Sequence, residues 1–332
     1  MERTSPSLED VLYKAVGSWT TGILNAATVH SIFTHIDNGA RTSGAIAERA
    51  KIAPRGAQAV LDGLLGIGLV TREGDEYRNT AEAEAYLVRD KPGYMGDLVQ
   101  FFADHMGEWS RLWQVVRDGV PSKAQGDDAT GTDWEKVVLS IIPLSQPGAV
   151  ASAARLDIAN AGPISLLDVG GGSGIYSATW LEANPRARAT QVDFAEINSI
   201  ARRYVSSRAV GDRFSTADGS LHDVDFGNDE HDFAVYSHVA HGESPAGNLD
   251  AFRKLRTALK PGGTLVIADF ILDDDRTAPP FVLMFQCNML KANRQGGCWR
   301  KQDYRSWLDS AGFRDISTEL LAPIPLTLIY AV

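Results

Sequence analysis

The segment SLLDVGGGSGIYSATWLEANP, residues 165–185, constrains the fold of this chain more than any other. An apolar run ends in Asp168, glycines follow at 170, 171, 172 and 174, and a helical pattern begins at once. Glycine lets the backbone turn left-handed and approach a ligand with no Cβ in the way. The helix start behind the turn offers unpaired N–H groups and the positive end of a dipole. Strand, glycine turn and helix in this order belong to a doubly wound α/β domain, with a ligand at the turn. A dinucleotide turn needs G-x-G-x-x-G. Counted from Gly170 the third position holds Ile175, and from Gly172 it holds Ser177, so an NAD site is disfavoured.

The pattern D-x-G-x-G-x-G fits a nucleoside ligand without a pyrophosphate. A second acid, Asp193, ends the next apolar run (RATQVD), where a carboxylate can accept both ribose hydroxyls. Asp218, in FSTADGS, ends a third short run and is placed to accept from an adenine amino group. Further runs, HDFAVYSHV and GTLVIADF, alternate with helical patterns, which predicts a mostly parallel sheet with helices on both faces. The tail FRDISTELLAPIPLTLIYAV offers two more strands joined by a Pro-containing connection, suited to an antiparallel pair at the sheet edge. The fold class predicted is α/β, doubly wound, mostly parallel with an antiparallel last strand.

Ahead of this domain the chain reads as mainly helical. Residues 7–36 carry Trp19, Ile23, Leu24, Val29, Ile32 and Phe33 at helical spacing. Residues 42–80 give a short helix, a turn at Pro54, a longer helix through Leu65 and a hairpin at Gly74, a winged-helix pattern. Such a module can bind DNA. Residues 1–100, however, hold 10 Lys and Arg against 13 Asp and Glu, and the whole chain carries a net charge of -10, so no nucleic acid is expected. Residues 94–118 predict one long amphipathic helix, and 120–133 an exposed loop. Three segments are therefore expected: 1–93, a helical connector over 94–162, and 163–332. No apolar run reaches the ~20 residues that span a bilayer, so no membrane partner is expected. The start MERTSPSLED is unlike a secretory signal, and two cysteines are too few for a disulfide framework; both suggest the cytoplasm.

With the motifs in place, the chain resembles the class I S-adenosylmethionine (SAM) methyltransferases. More narrowly, it resembles the small-molecule O-methyltransferases of plant phenolic and bacterial secondary metabolism, which carry an N-terminal winged-helix dimerisation domain. LLDVGGGSG, LKPGGTLVIAD (259–269), MLKANRQGG (289–297) and KQDYRSWLDSAGFRDI (301–316) match that family in order. The resemblance implies SAM as cofactor, bound by Asp168, Gly170, Gly172, Gly174, Asp193, Asp218, Gly219 and Ser237. It implies a homodimer formed through residues 1–93 and a hydroxylated small-molecule acceptor, with 94–162 contributing to the acceptor pocket. The family's general base is a histidine at the end of the fourth strand, and His238-Val239-Ala240-His241 makes His241 that base; His238 lines the cofactor side or is structural. A phenol near pKa ~10 reacts best ionised, and an imidazole near ~6.5 is a suitable proton acceptor. Two glutamates flank this histidine in the plant enzymes. Asp269 is the counterpart of the first, and the second position falls on or near Trp299.

Two segments are expected to face the acceptor: Phe102, His105, Met106 and Trp109 on one, and Met284, Phe285, Asn288, Met289 and Asn293 on the other, suited to a flat apolar ring with polar groups. The spacing of His105, His238, His241 and Glu243 fits no standard ligand motif, and no metal is expected. Carbon or nitrogen methylation, or SAM-binding chemistry without methyl transfer (hydroxylation or pericyclic reactions), are the alternatives on the same scaffold. A DNA-binding regulator with SAM as effector is the alternative from another class.

Overall fold

The structure, a computed structural model, describes residues 7–123 and 134–332; most of the loop expected over 120–133 lies outside the described residues. The chain divides into two compact units, residues 1–110 and 111–332.

In the first unit, helices Leu8–Ala15, Gly17–Val29 and Ile32–Asp37 precede the expected winged-helix elements. Thr42 caps the helix Ser43–Ala50 by accepting from the Ala45 amide at 3.3 Å, and Pro54 opens the helix Pro54–Gly66. Strands β1 (Val70–Glu73) and β2 (Glu76–Asn79) pair antiparallel across the Gly74–Asp75 turn. Ile32, Phe33, Ile46, Leu61, Leu64 and Tyr77 form the core between them. The apolar spacing over 7–36 is only partly used inside this chain. Trp19 is 68% exposed, and the helix Leu8–Ala15 buries nothing, leaving Leu8, Val11, Leu12 and Tyr13 in solvent.

The single helix predicted over 94–118 is instead three: Gly96–Asp104, Met106–Trp109 and Leu112–Asp118. The break at His105 has a local cause. Its Nδ1 lies 2.7 Å from the Phe101 carbonyl, the acceptor that the residue's own amide would take in an unbroken helix. His105 and Arg111 both sit near ψ of zero, outside helical geometry.

The second unit is built on a seven-stranded sheet. Its strands are β3 (Ser165–Val169), β4 (Arg188–Asp193), β5 (Phe214–Asp218), β6 (His231–Ser237), β7 (Leu259–Asp269), β8 (Ser317–Leu321) and β9 (Leu326–Ala331). Their spatial order is β5-β4-β3-β6-β7-β9-β8, and β9 alone runs opposite to the other six. Both faces are covered. Alternate residues point to opposite cores: Leu166, Val235 and Val266 with Trp180 on one face, Leu167, Tyr236 and Ile267 with Phe252 on the other. Strand order reverses between β3 and β6, and the crevice at their carboxyl ends is where such sheets bind ligands. Among the described residues, no single helix is long and apolar enough to cross a membrane.

Candidate active site

The glycine turn leaves β3 at this crevice. Gly170, Gly172 and Gly174 have φ of 67°, 57° and 77°, the left-handed region that a Cβ disfavours. Gly170 carries a second constraint: a Cβ there would overlap the Val239 side chain, so the turn packs directly on the loop after β6. At Gly172 a Cβ would meet nothing within 4 Å among the described residues. The turn is thus tight on its inner side and open at its crest.

The acids stand where the register places them. Asp193 and Asp218 are paired residues at the ends of β4 and β5. Asp193 accepts from the Gly172 amide at 3.0 Å and the Phe194 amide at 2.8 Å, which locks the glycine crest to the second strand. Gly219 follows Asp218 with φ of 150°, its amide bonded to the Asp193 carbonyl at 3.0 Å. Ser237, at the end of β6, is buried. Asp168 is fully buried; its Oδ2 accepts from Ser177 Oγ at 2.7 Å, and its Oδ1 has no partner among the described residues. Burial pushes the carboxyls of Asp168 and Asp193 up to about 6, against the hydrogen bonds each accepts.

A relay behind these acids was not read from the sequence. Gln191 and Asn198 are fully buried. Gln191 Nε2 donates to the Gly172 carbonyl and to Asn198 Oδ1, each at 3.2 Å, and Asn198 Nδ2 donates to Asp218 Oδ1 at 2.7 Å. The available signal was a polar residue inside the apolar run of β4, and another on the apolar face of the helix Ala195–Ser207.

His241 lies in a short turn, Ala240–Gly242, beyond β6. Its Nδ1 is 2.5 Å from Asp269 Oδ1, and its amide donates to Asp269 Oδ2 at 3.0 Å. Asp269 ends β7 with no solvent exposure and also accepts from the Phe270 amide (2.7 Å) and the Tyr304 hydroxyl (3.1 Å). Burial alone would raise this carboxyl. The charge and hydrogen bond of His241, then His238 and the Phe270 amide, hold it below its ordinary value. An ionised Asp269 accepts the Nδ1 proton, and the tautomer this sets leaves the Nε2 lone pair free.

His238 adopts φ of 56°, unusual for a residue with a Cβ, which turns the chain back sharply after β6. Its Nε2 is buried without a partner among the described residues. Burial lowers its pKa to about 4; the Asp269 charge opposes this and the His241 charge adds to it, so the ring is neutral at pH 7.

The residues expected at the acceptor fall in different places. Phe102 and Trp109 are 48% and 40% exposed in the first unit, where His105 holds the Phe101 carbonyl. In the helix Pro280–Ala292, Met284 is 65% exposed, Asn288 is half-buried and Met289 is buried in the core. Asn293, just past that helix, has its side-chain amide committed to backbone groups, with Nδ2 on the Gly242 carbonyl at 2.8 Å. Trp299 donates from Nε1 to the Ala240 carbonyl at 2.9 Å. Beside His241 stands Phe285, expected at the acceptor, in an aromatic group with Phe270 and Phe281, which the sequence did not bring to it. Phe285 packs edge-on to the imidazole at 5.2 Å and meets Phe270 at 4.8 Å, and Phe281 lies 5.2 Å from Phe270.

One atom each of His238, His241 and Asp269 lie within 4.8 Å of one another, spacing compatible with a metal ion. The Nδ1–carboxylate contact uses two of the available atoms on each other. Glu243, considered with these histidines, faces His222 Nε2 at 3.1 Å instead.

Comparison with known proteins places this geometry. Residues 150–314 match the O-methyltransferase domain family. The chain is 30% identical to the tetracenomycin polyketide synthesis 8-O-methyl transferase of Streptomyces glaucescens, over 93% of this chain and 92% of that one. It is 28% identical to the 3-hydroxy-5-methyl-1-naphthoate 3-O-methyltransferase of Streptomyces sahachiroi, over 92% and 89%. A solved structure of a candidate O-methyltransferase from Nostoc punctiforme superposes with a TM-score of 0.89 at 25% identity, covering 98% of this chain and 99% of that one. The protein belongs to the SAM-dependent O-methyltransferase family. The residues present fit SAM: an open glycine crest, a buried Asp168 oxygen without a partner among the described residues, and two carboxylates on adjoining strand ends.

Asp168 also links the fold to pH. Its folded pKa lies above the unfolded value, so its contribution to stability is complete below pH ~4 and is lost as pH rises through about 6. Asp168→Asn is expected to raise the melting temperature of the SAM-free protein at pH 8 and to change it little at pH 4.5. Melting curves at the two pH values check this; an equal shift at both would assign the effect to packing.

Proposed function

We propose that the protein methylates a hydroxyl of an aromatic, polyketide-like small molecule, with His241 as general base. The observation that carries this reading is the contact between His241 Nδ1 and the buried Asp269 carboxylate beside a wall of three phenylalanines. The carboxylate fixes the tautomer in which Nε2 accepts a proton, and its charge stabilises the imidazolium that results. Phe281 and Phe285, both half-buried and stacked, offer apolar surface against which an aromatic acceptor can pack, with the buried Phe270 behind them. Bound in the crevice, SAM supplies an electrophilic methyl group and leaves as a neutral thioether, so the chain needs no acid at that end. The acceptor O–H bond breaks toward Nε2 as the O–CH₃ bond forms, and the proton stays on His241 until solvent removes it.

For the cofactor we assign Asp193 to the ribose hydroxyls and Asp218 with Gly219 to the adenine. Asp168, Gly170, Gly172, Gly174 and Ser237 surround the methionine portion. His238, neutral and with Nε2 unpartnered among the described residues, lines the same side. Two relatives named for a polyketide and a naphthoate support the acceptor class, while a third, an N,N-dimethyltransferase from Streptomyces rimosus, supports keeping nitrogen as an alternative target. We further assign residues 1–93 to dimerisation and 163–332 to catalysis. The exposed Leu8, Val11, Leu12, Tyr13 and Trp19 present an apolar face that a second copy would cover.

Four measurements test this. His241→Ala should slow methylation of a naphthol acceptor about 10²–10⁴-fold and leave SAM affinity intact; an unchanged rate removes the base. Asp193→Ala should weaken SAM binding by calorimetric titration about tenfold or more, as loss of a charge-assisted hydrogen bond predicts. Sedimentation should give a dimer that Leu12→Asp with Trp19→Asp converts to monomer; a monomeric parent protein would rule out the interface. Mass spectrometry of the product, with the methylated atom located by NMR, separates oxygen from nitrogen and carbon.

A further inference from the structure

The turn that carries His241 is too short to hold itself. It is closed internally by the Gly242 amide on the Val239 carbonyl at 2.8 Å and the Glu243 amide on the Ala240 carbonyl at 3.2 Å. Yet each of its three carbonyls is taken by a donor from elsewhere. The Ala240 carbonyl accepts from Trp299 Nε1 and from Asn248 Nδ2, both at 2.9 Å. The His241 carbonyl accepts from the Gly297 amide at 2.9 Å, and the Gly242 carbonyl from Asn293 Nδ2 at 2.8 Å. Asn293 is itself fixed, since its Oδ1 accepts from the amides of Gln295 and Gly296 at 2.8 and 2.7 Å. Gly296 completes the fit: a Cβ there would overlap the His241 carbonyl oxygen.

We propose that Asn293, the Gly296–Gly297 pair and Trp299 act as positioning residues, a clamp that fixes His241 through its backbone in place of a second orienting carboxylate. Asp269 grips the Nδ1 edge of the ring and the amide of the same residue, but the ring still moves if the turn shifts. Small misplacements of a reacting group are costly to rate. A second carboxylate would add charge beside the imidazole and compete with substrate for Nε2. A backbone clamp does neither, so Nε2 stays open to the acceptor. Trp299 contributes a neutral N–H to the turn and no charge to the ring. This proposal rests on the general-base reading of His241.

The test uses the full-length protein loaded with the demethylated product of SAM and needs no acceptor for its first readout. Histidine side-chain ¹H–¹⁵N spectra report the Nδ1 proton of His241, assigned by its loss in His241→Ala. Trp299→Phe removes one donor and keeps an aromatic ring against Trp307, 5.6 Å away. Asn293→Asp keeps the oxygen that serves Gln295 and Gly296 and turns the Gly242 contact from donor to acceptor. In each variant the Nδ1 proton should exchange with water about tenfold faster, the ratio set by one hydrogen bond. The turnover number for a naphthol should fall at least as much, with product affinity within twofold. Unchanged exchange in both variants, or faster exchange at full turnover, would overturn the clamp. Full turnover in His241→Ala sinks the general-base reading and the clamp's purpose with it. Lost turnover in His241→Ala, with both clamp variants unaffected, sinks the clamp alone.

Discussion

Asp269 is a carboxylate with no exposure to solvent, and moving a charge from water into a protein interior costs several kcal/mol unless it is paired and hydrogen-bonded. Its four donors come from three places: the amide and ring of His241, the Phe270 amide, and the Tyr304 hydroxyl from the helix Lys301–Ala311. Satisfying this one group therefore ties the end of β7 to the turn after β6 and to a helix well downstream. The same contact that makes the charge tolerable selects the tautomer of His241. Stability and chemistry here have a single physical origin.

The glycine turn and the histidine turn are not independent either. They meet at the reversal of strand order, where Gly170 gives the Val239 side chain the room that a Cβ would take. A change that enlarges residue 170 would push on the segment that bears His241. The glycine turn after β3 and the histidine turn after β6 share one packing constraint.

Much of this was legible beforehand, for reasons that can be named. Short, nearly continuous apolar runs, buried on both faces, gave β3, β4, β6 and β7, and the glycines with Asp168, Asp193 and Asp218 marked the strand ends. Identifying His241 and Asp269 took a resemblance, because nothing in the spacing of residues 241 and 269 says that they touch. The helix expected over 94–118 failed because a side chain, His105, competes for a backbone acceptor, an effect invisible to hydrophobic spacing. Asn293 reads in sequence as a polar group near an acceptor, yet its amide is spent on backbone. Gln191 and Asn198 looked like isolated polar residues, and their meaning lies in a relay that only the folded register assembles. The phenylalanine wall draws on two elements, residue 270 after β7 and residues 281 and 285 on one helix face.

The paired acids at the ends of β4 and β5 carry a further consequence. Burial pushes the Asp193 carboxyl up to about 6, against the two amides that donate to it. A ligand that donates hydrogen bonds to this carboxylate relieves that penalty, so its binding free energy is in part folding free energy. The melting temperature of such a protein is then set by the concentration of the ligand as well as by the sequence.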